Sequence, residues 1–128
     1  MTAYLLTIID SQHPGRPPLT MNEWRNCHWS KKSLAKKRIG YQVIKAVNEC
    51  GTLVPRIDRV KVTITQHAPD GRRRDADGLS AFRKDVLDAL VAQRILPDDN
   101  HKHVIDGGNH IAIDRTNPRM EILLEEVA

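Results

Sequence analysis

The chain lacks the material for a membrane span or a disulfide framework. Its longest apolar run is only a few residues, whereas a spanning helix needs about 20, so no membrane partner is expected. Cysteine is limited to Cys27 and Cys50, without a Cys-x-x-Cys spacing. A reduced protein with incidental thiols is therefore expected, rather than a disulfide or zinc site. Met1 to Asp10 carries no basic leader, so no signal peptide is expected and the cytoplasm is the inferred compartment. Aromatic residues make up 4% of the chain. Repeats, low-complexity tracts and linkers are missing, so 1–128 is read as a single domain.

What is present is positive charge. Lysine and arginine total 20 against 16 acids, giving a net charge of +4 and a pI near 9.3. That balance points toward a polyanion partner. The charge is also concentrated. Lys31, Lys32, Lys36, Lys37, Arg38 and Lys45 share one stretch with no acid before Glu49. Six like charges repel one another, and a phosphate backbone relieves that repulsion.

Hydrophobic spacing places these residues on elements. Tyr4 to Ile9 is an apolar, β-rich run and reads as a buried first strand. Asp10 to Asn22 holds Pro14, Gly15, Pro17 and Pro18 and reads as an extended loop. Trp24 and Trp29 follow in a basic loop region, available either to cap the core or to stack on bases. A helix starting at Ser30 or Ser33 runs to about Cys50, with Ala35, Ile39, Val43, Val47 and Cys50 inward and Gly51 as its stop. Val60, Val62 and Ile64 alternate with polar residues as a half-exposed strand, and Pro69-Asp70-Gly71 is a turn. A second helix from near Asp77 carries Leu79, Phe82, Val86, Ala89 and Leu90 inward. His101 to Val104 and Asn109 to Ile113 read as strand pieces interrupted by Gly107-Gly108, and Met120 to Leu124 as a final strand. The order β-α-β-α-β-β predicts an α+β fold, one mixed sheet with two main helices packed on one face.

The stretch from Arg72 to Asp99 carries the chemistry. Asp75 and Asp77 are two apart, so an extended backbone turns both carboxylates to one side. Paired carboxylates repel, and a divalent cation removes the penalty. Magnesium takes oxygen ligands and often only one or two protein carboxylates. On a helical wheel Lys84 and Asp88 each fall within about 20° of Asp77, opposite the apolar stripe. Lys84 is thus expected over the dyad, or paired with Asp88 at i,i+4. Asp98 and Asp99 follow Pro97 at the mouth of the next strand, where one of them can complete the site.

These residues resemble the RusA family of Holliday junction resolvases. The matching features are the basic run Arg72, Arg73 and Arg74, the Asp75-x-Asp77 dyad, Lys84, Leu87-Asp88-Ala89-Leu90 and the Asp98-Asp99 pair. Upstream, Pro17-Pro18, the Asn22-x-Trp24 region and the basic helix after Ser30 are similar to the family's N-terminal half. The resemblance implies a homodimeric, Mg²⁺-dependent endonuclease (Mn²⁺ substituting) acting on four-way or branched DNA in a bacterial or phage-infected cell. It implies Asp75, Asp77 and Asp99 as metal ligands and Lys84 as the cation at the phosphate. Lys31, Lys32, Lys36, Lys37 and Arg72 to Arg74 would hold DNA backbones. Two departures stand out. Gly78 replaces the family's asparagine, and Lys84 lies seven residues after Asp77 rather than about four. Arg74 or Arg83 is then an alternative source of the positive charge.

Two other functions compete. His101, His103 and His110, with Asn109, offer an HNH-like or zinc site. A non-catalytic branched-DNA-binding protein of the same fold is the second alternative.

Overall fold

β2 (Val60–Ala68) is the strand on which the other elements are assembled. In the computed structural model, which describes residues 2–127, it pairs on one side with β4 (Arg119–Glu126), antiparallel, and on the other with β3 (Val104–Ile113), parallel. β1 (Ala3–Ile8) pairs antiparallel with β4 alone, giving the order β1-β4-β2-β3. Three helices complete the chain: α1 (Met21–Asn26), α2 (Trp29–Asn48) and α3 (Ser80–Ala92), the last entered through a 3₁₀ turn at Ala76–Leu79. This is a mixed α+β fold, with α2 and α3 as its two main helices. No helix among the described residues is long and apolar enough to cross a membrane.

Strand alternation decides which side the helices cover. Val60, Val62 and Ile64 of β2, Met120, Ile122 and Leu124 of β4, and Tyr4, Leu6 and Ile8 of β1 are all buried. They meet Ile39 and Val43 of α2 and Phe82, Val86 and Leu90 of α3 in one core. Lys61, Thr63 and Thr65 of β2 and Leu5 and Thr7 of β1 face the other way and stay partly or fully exposed. Truncating a residue such as Phe82, 1% exposed, removes on the order of 3–5 kcal/mol of this packing.

Four local expectations need correction. β1 is buried on one face only: Leu5 points to the side of the sheet away from the helices and Ile9 lies past the end of the strand, so both remain exposed. Met21–Asn26 is helical: Thr20 caps it, accepting from the Glu23 N–H at 3.2 Å, while Glu23 accepts from the Thr20 N–H at 3.0 Å. α2 is capped by His28, whose Nδ1 accepts from the Ser30 N–H, rather than by Ser30 or Ser33. Gly107 and Gly108 do not break β3. The register slips between Val62 and Ile64, and the strand continues through a bulge. A Cβ at Gly107 would sit 2.1 Å from Thr63 Oγ1, so this close approach requires glycine. His101, Lys102 and His103 lie in the preceding turn, and only Val104 of that expected piece is in the strand.

Candidate metal centre and nucleic-acid interface

The acidic dyad sits where β2 hands over to α3. The turn after β2 is fastened by Asp70, which accepts from the Arg72 N–H at 3.1 Å and from Arg74 Nη2 at 2.9 Å. Those two contacts hold the Asp70 carboxyl below its ordinary range. Arg74 also donates to the carbonyls of Asp70 and Arg72, at 2.8 and 3.1 Å. It is thereby folded back onto the turn, while Arg72 and Arg73 are exposed. Asp75 is extended (φ −104°, ψ 135°), and its carbonyl accepts from the Gly78 N–H at 3.0 Å to close the 3₁₀ turn that contains Asp77. The dyad is therefore half extended and half helical. Both carboxylates are exposed and both line the same cleft. Leu79, 2% exposed, anchors the end of this turn in the core.

The facing wall is the proline-rich loop and α1. Two attachments hold the loop in place. Asp10 is bound to α2 through Arg38 and Gln42. The Gly15 carbonyl accepts from Gln66 Nε2 at 2.7 Å. Gly15 is wedged so closely that a Cβ would lie 2.7 Å from Pro118 Cβ and 2.8 Å from the His67 carbonyl oxygen. The resulting cleft has a volume of about 880 Å³ and gathers Arg16, Arg25 and Arg72–Arg74 around Asp75, Asp77 and Glu23. Glu23 is a cleft carboxylate that the sequence reading passed over. Its signal was the Thr20-x-x-Glu23 spacing of a capping box. It is held by Thr20 and by an ion pair with Arg16. Burial pushes its carboxyl up, but the Thr20 and Arg16 contacts outweigh this and leave it below the ordinary range.

Asp99 lies elsewhere. Its N–H donates to Asp98 Oδ1 at 2.7 Å, which holds the Asp98 carboxyl down. Asn100 accepts through its carbonyl from the N–H groups of His103 and Val104, and the His103 carbonyl accepts from the Val60 N–H. This turn therefore borders the start of β2, whereas the dyad follows the end of β2. Because β2 and β3 run parallel, the strand's length separates them within one chain. Among the described residues no three His, Cys, Asp or Glu side chains gather as a metal cluster. The histidines are dispersed as well. His103 Nδ1 lies 2.8 Å from the Asp58 carbonyl, and His110 sits further along β3 opposite Thr65.

Lys84 follows the ion-pair alternative. Its Nζ is 3.8 Å from Asp88 Oδ2, and Lys36 Nζ reaches the same oxygen at 3.0 Å. Lys84 lines a second groove with Trp24, Lys32, Lys36 and Asp85, outside the dyad's cleft. Arg83 is unavailable as a substitute. It is buried, donating to the carbonyls of Val62 and Gly108 at 2.6 and 3.3 Å, with Asp106 at 3.0 Å. The cations that share the dyad's cleft are Arg16, Arg25 and Arg72–Arg74. On α2, Lys31 and Lys37 are exposed, and Lys32 Nζ sits 4.0 Å from the centre of the Trp24 ring. Trp29 is 71% exposed beside His28, with ring centroids 5.4 Å apart.

Compared with protein-family models and with curated proteins, the chain matches none.

Proposed function

We propose that this chain is a metal-dependent endodeoxyribonuclease for four-way or other branched DNA, of the kind the RusA resemblance implies. The observation that carries the reading is the placement of Asp75 and Asp77: two exposed carboxylates on a pinned turn, inside a cleft whose lining includes five arginines, Arg16, Arg25 and Arg72–Arg74. An all-oxygen donor pair with room beside it for water and phosphate suits Mg²⁺, with Mn²⁺ as substitute. Asp75 and Asp77 would hold the cation, which would supply activation of a water and neutralisation of charge at the scissile phosphate.

The chain's own residues do the rest. Arg72 and Arg73, exposed beside the dyad, attract the DNA backbone and draw the phosphate toward the carboxylates. Arg74 keeps the turn rigid through Asp70, so the carboxylates need little reorganisation. Lys31 and Lys37 on α2 present further cations to a second arm of the DNA. Asp99 contributes to the same centre through a second copy of the chain, because one copy separates it from the dyad. A homodimer with two such sites cuts opposed strands.

A second reading is favoured by the position of Lys84, which stands away from the dyad beside Asp88. It is a branched-DNA-binding protein without chemistry. Incubation with a synthetic four-way junction, with and without Mg²⁺, separates the two. Metal-dependent cleavage lost in Asp75→Asn supports the nuclease, and metal-independent binding without cleavage supports the binder.

A further inference from the structure

The second groove is unexplained by the dyad and lies next to it. It occupies about 300 Å³ between α1, α2 and α3 and shares Met21 with the dyad's cleft, so the two depressions adjoin. Its size suits one nucleotide rather than a duplex. Trp24 lines it, with the Lys32 ammonium 4.0 Å from the ring centre. Asp85 also lines it, half-buried, and is left over by the ion pairing. Asp88 takes both Lys36 and Lys84, and Asp85 has no hydrogen-bond or ion-pair partner among the described residues. Burial, helped by the neighbouring Asp88 charge, pushes the Asp85 carboxyl up, and the Lys36 and Lys84 charges only partly oppose this.

We propose that this groove receives one unstacked base of the DNA strand that crosses the dyad, with Trp24 as stacking platform and Asp85 as acceptor for base N–H groups. The proposal rests on the nuclease reading for the identity of the strand, and on the groove alone for the binding chemistry. An indole ring supplies a sequence-tolerant stacking surface. A half-buried carboxylate accepts hydrogen bonds from ring imino or exocyclic amino groups. Lys32 moves from the ring to a neighbouring phosphate, exchanging a cation–π contact for a charge-assisted one. Lys84, at the rim, then serves the strand beside the scissile phosphate instead of the phosphate itself. The arrangement needs single-stranded character at the cleavage point, which a branch point provides and a continuous duplex does not.

The test uses the full chain carrying Trp29→Phe, which leaves Trp24 as its one indole, with chelator and no metal. It is titrated with a short oligodeoxythymidine and with the same strand made abasic at its central positions. Saturable quenching of Trp24 by the thymidine strand, absent with the abasic strand, is expected. Adding Asp85→Ala should weaken it about tenfold, the scale of one lost base contact. No quenching, or equal quenching by the abasic strand, overturns the proposal. Because no metal is added, this result is independent of cleavage. Quenching that persists in Asp75→Asn keeps the groove even where the nuclease reading fails.

Discussion

Arg38 clasps Asp10 with two bonds, Nε to Oδ1 at 2.7 Å and Nη2 to Oδ2 at 2.8 Å, and so fastens the cleft's proline-rich wall to α2. Asp10 is 3% exposed and also accepts from Gln42 Nε2 and from the N–H groups of Gln12 and His13. Burial raises its carboxyl, but the His13, Gln12, Gln42 and Arg38 bonds together hold it below the ordinary value. Arg38→Ala strands a buried carboxylate. Because Arg38 itself is 35% exposed, the loss is set at about 2–3 kcal/mol, below the full buried-pair value. Urea unfolding measures it, and an unchanged midpoint would remove the clasp from the account. The sign of the pH effect follows from the lowered pKa. The clasp stabilises fully above the unfolded carboxyl value of about 3.9 and weakens as pH falls through the lower folded value.

Asp114 shows the same sign. In the turn between β3 and β4 it accepts from Arg119 at 2.8 Å, from the Asn117 N–H and from Thr116. Arg119 first, then Asn117 and Thr116, bring its carboxyl down to about 2. Its contribution is complete above about 3.9 and is lost as pH falls toward 2. A carboxyl-carbon NMR titration should place its midpoint near 2, and a midpoint near 4 contradicts the geometry.

Arg83 tests the parallel pairing of β2 with β3. Its guanidinium bonds Val62 and Gly108 carbonyls on the two strands beside the bulge. Burial lowers its pKa, partly offset by Asp106. Arg83→Leu leaves those carbonyls without their donor at a cost of about 2–4 kcal/mol. The expected phenotype is a lower urea midpoint with cleavage by the folded fraction retained. Cleavage lost at full stability would instead make Arg83 a catalytic cation.

The proposed sharing of Asp99 between two copies is tested by complementation. Asp75→Asn and Asp99→Asn homodimers should each be inactive. When equal amounts are mixed and allowed to exchange, half the dimers are mixed, and each regains one of its two sites. Junction nicking should then return to about a quarter of the wild-type site activity. No recovery in a mixture shown to contain mixed dimers would exclude Asp99 supplied by a second copy.

How much of this was readable from the chain depends on the range of the interaction. The two long helices, β2 and β4 were legible because their apolar spacing is local and strong. Leu79, Phe82, Val86, Ala89 and Leu90 all point inward as the wheel requires. α1 was hidden by the prolines before it, although Thr20 and Glu23 announced its cap. β3 was hidden by Gly107-Gly108, which read as a break because the bulge depends on Thr63 of another strand. The dyad's cleft was half legible. Arg72 to Asp77 are contiguous, but the loop that faces them is placed by Asp10 and Gly15, through partners tens of residues away. The distance of Asp99 from the dyad could not be read locally, since it follows from β2 and β3 running parallel.

The central claim is that Asp75 and Asp77 form a metal-dependent cleavage centre, and one assay tests it most directly. Wild-type chain and Asp75→Asn are each incubated with a synthetic four-way junction, with Mg²⁺ or with chelator. The account predicts cleavage by the wild type only with Mg²⁺, and a loss of on the order of a hundredfold or more in Asp75→Asn with junction binding retained. Wild-type cleavage rates in Asp75→Asn, or the absence of metal-dependent cleavage in the wild type, would contradict it.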